Sequence, residues 1–304
     1  MAFNINSLPN YVEQNKSELM TNVVLSAPSI DEFSMMPDVK GPTTLNLMSN
    51  EIKFQNGIAC GFNPDGDTVL SQRTIEPGIM KVNMQWCPKD LIAKYTVHEV
   101  MLKAGRETLP FEAKIMEDLT ANIGYELEKA IWQADKTDGT GNLAFFNGLG
   151  KLIKDDITSG LITAVTTSTA SETMVERIKK IYMSVPEKSQ ERVNIYVSPA
   201  NFRKYVLELV DKNMFHYTPE IDYSMQVMIP GTSTTVKAMP GLIGVNEIYA
   251  LVPQEVVYGF DEYSDYSDYK LWYSDDNDLF RFRVCFAAGL QYSWPENIAV
   301  NKLS

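Results

Sequence analysis

From Phe111 to Ile131 an apolar side chain returns at every fourth position: Phe111, Ile115, Leu119, Ile123, Leu127 and Ile131. This spacing predicts a long helix starting near Thr108 and running through Lys129 to Gln133. Thr108 can cap it, Pro110 sits in the first turn where its missing N–H costs nothing, and Glu112 suits the positive end. At 3.6 residues per turn such a ladder drifts about 40° per step. The stripe winds partway round the helix and must meet different neighbours along its length. A helix resting on one flat sheet would show a straighter stripe, so this one reads as a spine.

The segments around the spine carry other periods. Residues 1–40 are weakly patterned, with Pro9, Pro28 and Pro37, and read as an extended arm or tail that needs a partner surface. Val23–Ala27 could form a short strand. From 43 to about 105 the pattern is β-like. Thr44–Leu47 and Ile52–Gln55 alternate, and Gly57–Phe62 runs into the turn chemistry of Asn63-Pro64-Asp65-Gly66-Asp67. Thr68–Ser71 leads out, and Ile79–Trp86 forms a further strand. The whole reads as a polar-tipped β excursion with few large core residues.

Beyond the spine, 172–184 is helical, 193–197 is a buried strand, and Ser198-Pro199 supplies an N-cap and first-turn proline for a helix carrying Phe202, Val206 and Leu209. That order belongs to an α/β layer. Phe280, Phe282, Val284 and Phe286 alternate with Arg281, Arg283 and Cys285 in a closing strand that runs through Leu290 and Tyr292 until Pro295 stops it.

Catalytic and metal chemistry is thinly represented. Only two histidines occur, His98 and His216. His98-Glu99 opens like a zinc-protease helix, but Leu102 stands where the second histidine belongs. Gly148-Leu149-Gly150-Lys151-Leu152 lacks the first glycine and the Ser/Thr of a phosphate loop. Cys60, Cys87 and Cys285 have no zinc or redox spacing and read as reduced thiols. No enzyme, cofactor or metal is expected. A net charge of −12 argues against a sequence-reading nucleic-acid binder, although a container for nucleic acid could have such a wall. No stretch approaches the roughly 18–20 uncharged apolar residues of a membrane span, and residues 1–30 lack the apolar run of a secretory signal.

One constellation is unusual. Between Glu255 and Asp278 lie eight acids and a single base, Lys270, more than half of the net charge. A divalent-cation site is one reading. A solvated loop, or a patch facing basic groups on a neighbouring subunit, is the other and the favoured one.

Taken in order, the segments resemble the Hong Kong 97-type coat protein of tailed bacteriophages. The helix ending in Glu128-Lys129-Ala130-Ile131-Trp132-Gln133, followed by a glycine loop and Phe146-Asn147-Gly148-Leu149, is similar to one passage of that family. VNIYVSPANFRKYVLEL resembles the strand-to-helix step of its axial domain, and YALVPQEVVYGFD with the last strand resembles the return to its peripheral domain. The resemblance spans most of 40–300.

It implies an α+β capsid fold with an N-terminal arm (1–40) and an extended β loop with flanking strands (41–105, the loop itself within 55–85). The peripheral domain would comprise 106–158 and 251–304, and the axial domain 159–250. It further implies a virion structural protein, a major capsid protein assembled in the host bacterial cytoplasm. Hexamers and pentamers of the chain would form an icosahedral or prolate shell around double-stranded DNA. Partners would be copies of itself, a separate scaffolding protein, a portal, decoration proteins, and packaged DNA held non-specifically. An encapsulin-like nanocompartment shell is the alternative, and a tail protein a lesser one. Expected subunit-interface residues are Asn63, Asp65, Asp67, Val69 and Arg73 on the loop, and Asp261, Glu262, Asp265 and Asp268 in the acidic run.

Overall fold

The computed structural model describes residues 7–56, 65–103, 111–168, 171–212, 225–261 and 268–303. In chain order the elements are α1 (Ser7–Gln14), α2 (Lys16–Val24), β1 (Ser34–Met36), β2 (Thr43–Ile52), β3 (Gly66–Ile75), β4 (Gly78–Trp86), α3 (Pro88–Lys103) and α4 (Phe111–Gln133). There follow α5 (Leu149–Thr158), β5 (Val165–Thr167), α6 (Met174–Ser184), α7 (Glu187–Gln190), β6 (Asn194–Val197), α8 (Pro199–Asp211), β7 (Gln226–Met228) and β8 (Thr235–Ala238). The chain closes with β9 (Tyr249–Leu251), β10 (Val256–Asp261), β11 (Asp268–Ser274), β12 (Leu279–Tyr292) and β13 (Ala299–Leu303).

The alternation of 280–286 builds the first sheet. β12 is its axis, flanked on one edge by β10 and β11 in succession and on the other by β4, with β1 parallel to β10 outside. Phe280, Phe282, Val284 and Phe286 point into the main core, while Arg281, Arg283 and Cys285 stay partly exposed. From Phe286 onward every β12 residue is buried, because the sheet is there covered on both faces.

The spine α4 lies across this sheet and meets α1, α2, α3, α5 and the turn Pro240–Leu242. Its burial follows the winding ladder. Phe111, Met116 and Leu119 are covered early, and Leu127, Glu128 and Ala130–Trp132 are buried nearly all round at the end. Ile115 and Ile123 are only partly buried. Gly124 is required here, since a Cβ would come within 2.7 Å of Ser26. The expected start at Thr108 and Pro110 lies outside the described residues.

The second layer is the expected α/β unit. Its sheet runs β5-β13-β9-β6-β8-β7 and carries α6 and α8 on a separate apolar core that includes Ile178, Ile181, Ile195, Phe202 and Val236. Thr173 and Glu176 form a reciprocal capping box at α6, and the Ser198 hydroxyl accepts from Asn201 N–H at the start of α8.

Three expectations need correction. Residues 7–24 form no extended arm or strand: α1 and α2 bury Leu8, Val12, Leu19, Met20, Val23 and Val24 in the main core. Their helical period was masked because the chain breaks at Asn15 and leaves two helices of only 8 and 9 residues, each too short to repeat it clearly. The β-like reading of 43–105 ends too late, since 88–103 is the helix α3. The loop is also displaced from 55–85: the projecting hairpin is β2–β3, whereas β4 belongs to the main sheet. Residues 57–64, where Gly57–Phe62 and Cys60 fall, lie outside the described residues.

Candidate assembly surfaces

β2 and β3 pair with each other from Thr43↔Ile75 to Ile52↔Gly66, and with no third strand among the described residues. A two-stranded ribbon is marginal in water unless something covers it. Among the described residues only its root is packed, through Leu45 and Ile75 against Val39, Met36 and Val257. Further out, one face shows Met48 opposite Leu70 and then Ile52, at 59 %, 75 % and 77 % exposure. Val69 is exposed on the other face, and Phe54, past the end of β2, is 99 % exposed. Side-chain bonds of Gln72 to Asn46 and Thr68 to Asn50 keep the ribbon in register without drying it.

Of the residues expected at interfaces, Asp65, Asp67 and Val69 lie on this exposed ribbon. Lys53 bridges Glu51 at 3.6 Å and Asp65 at 3.5 Å. Arg73 is engaged within the chain: it meets Asp156 of α5 at 2.7 Å and lies 4.3 Å over the Tyr292 ring. Burial first, then the Asp156 carboxylate, pushes the Tyr292 phenol well above its usual range.

In the acidic run, Asp261 is buried at the end of β10. Asp268 pairs with Arg283 and, at 3.3 Å, with Lys16, so it fastens α2 to the sheet. These two cations hold its carboxyl below the ordinary value despite partial burial. Glu255 takes Arg192 and Asn297. Asn63, Glu262 and Asp265 lie outside the described residues.

Among the described residues no three His, Cys, Asp or Glu side chains converge as a metal site. Lys151 of the phosphate-loop-like run is held by Asp135 and Asp155. His98 lies edge-on to Phe111 at 5.5 Å, with both ring nitrogens buried and without a hydrogen-bond partner among the described residues. His216 lies outside the described residues.

Sequence reasoning missed the polar node behind these surfaces. Glu128, fully buried, accepts from Ser29 N–H at 2.9 Å, Ser29 Oγ at 2.7 Å, Trp132 Nε1 at 3.2 Å and Gly241 N–H at 3.3 Å. Burial raises its pKa, only partly opposed by these four donors. Nearby, Glu32 accepts from Tyr196 Oη at 2.5 Å and pairs with Lys237 at 2.7 Å. The N-terminal segment is thereby locked to the spine and to the α/β layer. The available signal was weak: Glu128 shares the i±4 row of Gly124 and Trp132, beside the apolar ladder.

A ribbon of bare apolar surface, a winding spine under one sheet and a small α/β layer together make an α+β fold of the kind seen in shell proteins. Solved structures bear this out: the chain has the Hong Kong 97-type fold of phage capsids, which encapsulin shells share. It superposes on a chain of the satellite phage P4 procapsid containing the size determination protein with a TM-score of 0.65 at 9 % identity, covering 95 % of this chain and 91 % of that one. For the cyanophage A-1(L) capsid the TM-score is 0.58 at 12 % identity, with 94 % and 92 % covered. For the SrpI encapsulin complex of Synechococcus elongatus it is 0.54 at 11 % identity, with 91 % and 87 % covered. No family model matches the sequence, and no curated protein matches it significantly.

Proposed function

We propose that this chain is the major capsid protein of a tailed phage, a structural subunit without catalytic activity. Its copies assemble as hexamers and pentamers into an icosahedral or prolate shell around double-stranded DNA. The observation that carries the reading is the β2–β3 ribbon, whose exposed Met48, Ile52, Leu70 and Val69 the rest of the described chain leaves uncovered. Covering them with a neighbouring copy would supply the missing apolar burial, so closure of a shell stabilises each member. The fold shared with phage capsid chains supports the same reading. On this reading a separate scaffolding protein guides assembly in the host bacterial cytoplasm, a portal occupies one vertex, and decoration proteins are further candidate partners. No helix among the described residues is long and apolar enough to cross a membrane.

A nanocompartment shell is the second reading, favoured by the encapsulin likeness. Sedimentation and negative-stain imaging of the purified chain, alone and with a candidate scaffolding protein, test both. Rings or closed shells are expected. Packaged DNA then supports the capsid, and a protein cargo supports the nanocompartment. A monomer under both conditions refutes the shell reading.

The ribbon gives a sharper expectation. Replacing Met48, Ile52 and Leu70 together with serine should leave the unassembled chain's stability within about 0.5 kcal/mol, since the side chains are solvated there. Particle yield should fall at least about tenfold, because each lost apolar burial is worth roughly 1.5–3 kcal/mol. Urea unfolding and sedimentation of the same preparation separate the two effects.

A further inference from the structure

We propose that Arg73 is a positioning residue that sets the angle at which the β2–β3 ribbon leaves the body, and through that angle the spacing between shell subunits. The second half rests on the shell reading above. The first half stands on geometry alone.

The ribbon is a lever with few attachments. Between the pair Leu45↔Arg73 and the pair Ile52↔Gly66, every hydrogen bond among the described residues stays within the ribbon. At about 3.4 Å per residue its ten-residue strands reach roughly 30 Å, so a tilt of about 10° at the root moves the tip by about 5 Å. Such a shift is comparable to the spacing of neighbouring strands. The apolar root cluster of Val39, Leu45 and Ile75 is small and non-directional, so it resists pulling out better than it resists tilting.

Arg73 supplies the missing direction. Its Nη2 donates to Asp156 Oδ2 at 2.7 Å, and its Nε and Nη2 donate to Gln291 Oε1 at 3.2 and 3.1 Å. The guanidinium carbon lies 4.3 Å from the Tyr292 ring centre, and the Tyr292 hydroxyl in turn donates to Asp156. Gln291 Nε2 reaches back to the carbonyl of Thr74, the next residue of β3, at 3.1 Å. One side chain of the ribbon is thus gripped by α5 and by β12 at once. The Arg73 and Asp156 side chains are 14 % and 13 % exposed, so the pair is less screened than an ion pair at the surface. Lysine cannot reproduce this grip, because a point charge satisfies Asp156 without the second arm to Gln291 or the stacking on Tyr292.

The test measures the angle and the shell separately. Cysteines 60, 87 and 285 are replaced by alanine in a parent that keeps its assembly behaviour. Nitroxide labels are then placed at Val69→Cys on the ribbon and Lys179→Cys on α6. The label-to-label distance distribution of the unassembled parent should be narrow. Arg73→Ala should broaden it about twofold or more, and Arg73→Lys by an intermediate amount. Arg73→Asp combined with Asp156→Arg should narrow it again, a rescue that general loosening would not give. A distribution unchanged in Arg73→Ala overturns the proposal. If that variant broadens the distribution yet forms shells as uniform as the parent's, the clamp is real and its link to subunit spacing is overturned. A parent that never assembles refutes the shell reading, while the distance widths still decide the clamp.

Discussion

Glu128→Ala is expected to destabilise the unassembled chain by about 2–4 kcal/mol, a large share of the ordinary margin of folded proteins. The carboxylate serves donors from three parts of the chain: Ser29 ahead of the first sheet, Trp132 on the spine and Gly241 in the turn beside it. Its removal strands the Ser29 and Gly241 N–H groups in a dry site. Trp132 Nε1 keeps Ser29 Oγ at 2.7 Å and suffers less. Relief of the buried charge offsets part of this cost, which is why the estimate stays below the sum for the stranded donors. Gly241 admits no larger residue to fill the gap, since a Cβ there would come within 2.3 Å of the Glu128 carbonyl oxygen. Glu128→Gln keeps the shape but sets an NH2 against at least one of the same donors, so a smaller loss of about 1–3 kcal/mol is expected. The urea midpoint should fall with an unchanged slope. A loss under about 0.5 kcal/mol for Glu128→Ala would mean that water enters and the node carries little.

The same residue gives a pH dependence with a definite sign. Burial raises the Glu128 pKa above its unfolded value of 4.5, so the native chain holds this proton more tightly than the unfolded one. Its contribution is fully present below the unfolded value and is lost as pH rises through the folded one. The stability difference between parent and Glu128→Ala should therefore shrink as pH rises from about 4 toward neutrality. Asp268, held low by Arg283 and Lys16, pulls the other way: its contribution is present above the unfolded value and is lost on acidification. Only the difference between parent and variant isolates Glu128.

The legible parts of this fold were those whose signal is local and repeated. The ladder of α4 and the alternation of 280–286 each repeat one period long enough to outweigh noise, and Ser198-Pro199 is a strong local helix start. α3 failed that test, because Leu91 is buried while Val97, Val100 and Met101 are exposed, so no repeated apolar face marks it. The ribbon's turn chemistry was visible at Pro64-Asp65-Gly66, but its length depends on where β4 leaves to join β12, a pairing about 200 residues apart in sequence. The candidate site divided in the same way. Exposure of Asp65, Asp67 and Val69 follows from a polar-tipped excursion. The capture of Arg73 by α5 and β12 depends on tertiary placement alone.

Deleting residues 1–24 is expected to abolish the cooperative fold, an outcome opposite to that of trimming a loose arm. The ordering cost of α1 and α2 leaves with them, so their own burial is not the net loss. What remains is the wall they cover. Met116 and Leu119 on the spine, Tyr269 and Leu271 on β11, and Tyr258 on β10 all share the main core with the two helices. The Tyr258 hydroxyl also loses the Val24 carbonyl it bonds at 3.2 Å. Each ~200 Å² of apolar wall exposed costs about 5 kcal/mol, so modest uncovering already matches a stability of roughly 5–15 kcal/mol. The shortened chain should lose its near-ultraviolet circular dichroism and its sharp urea transition while keeping some far-ultraviolet signal. An arm held only by neighbouring subunits would instead leave the monomer's unfolding midpoint where it was. That result would place α1 and α2 on another copy in solution and return this segment to assembly.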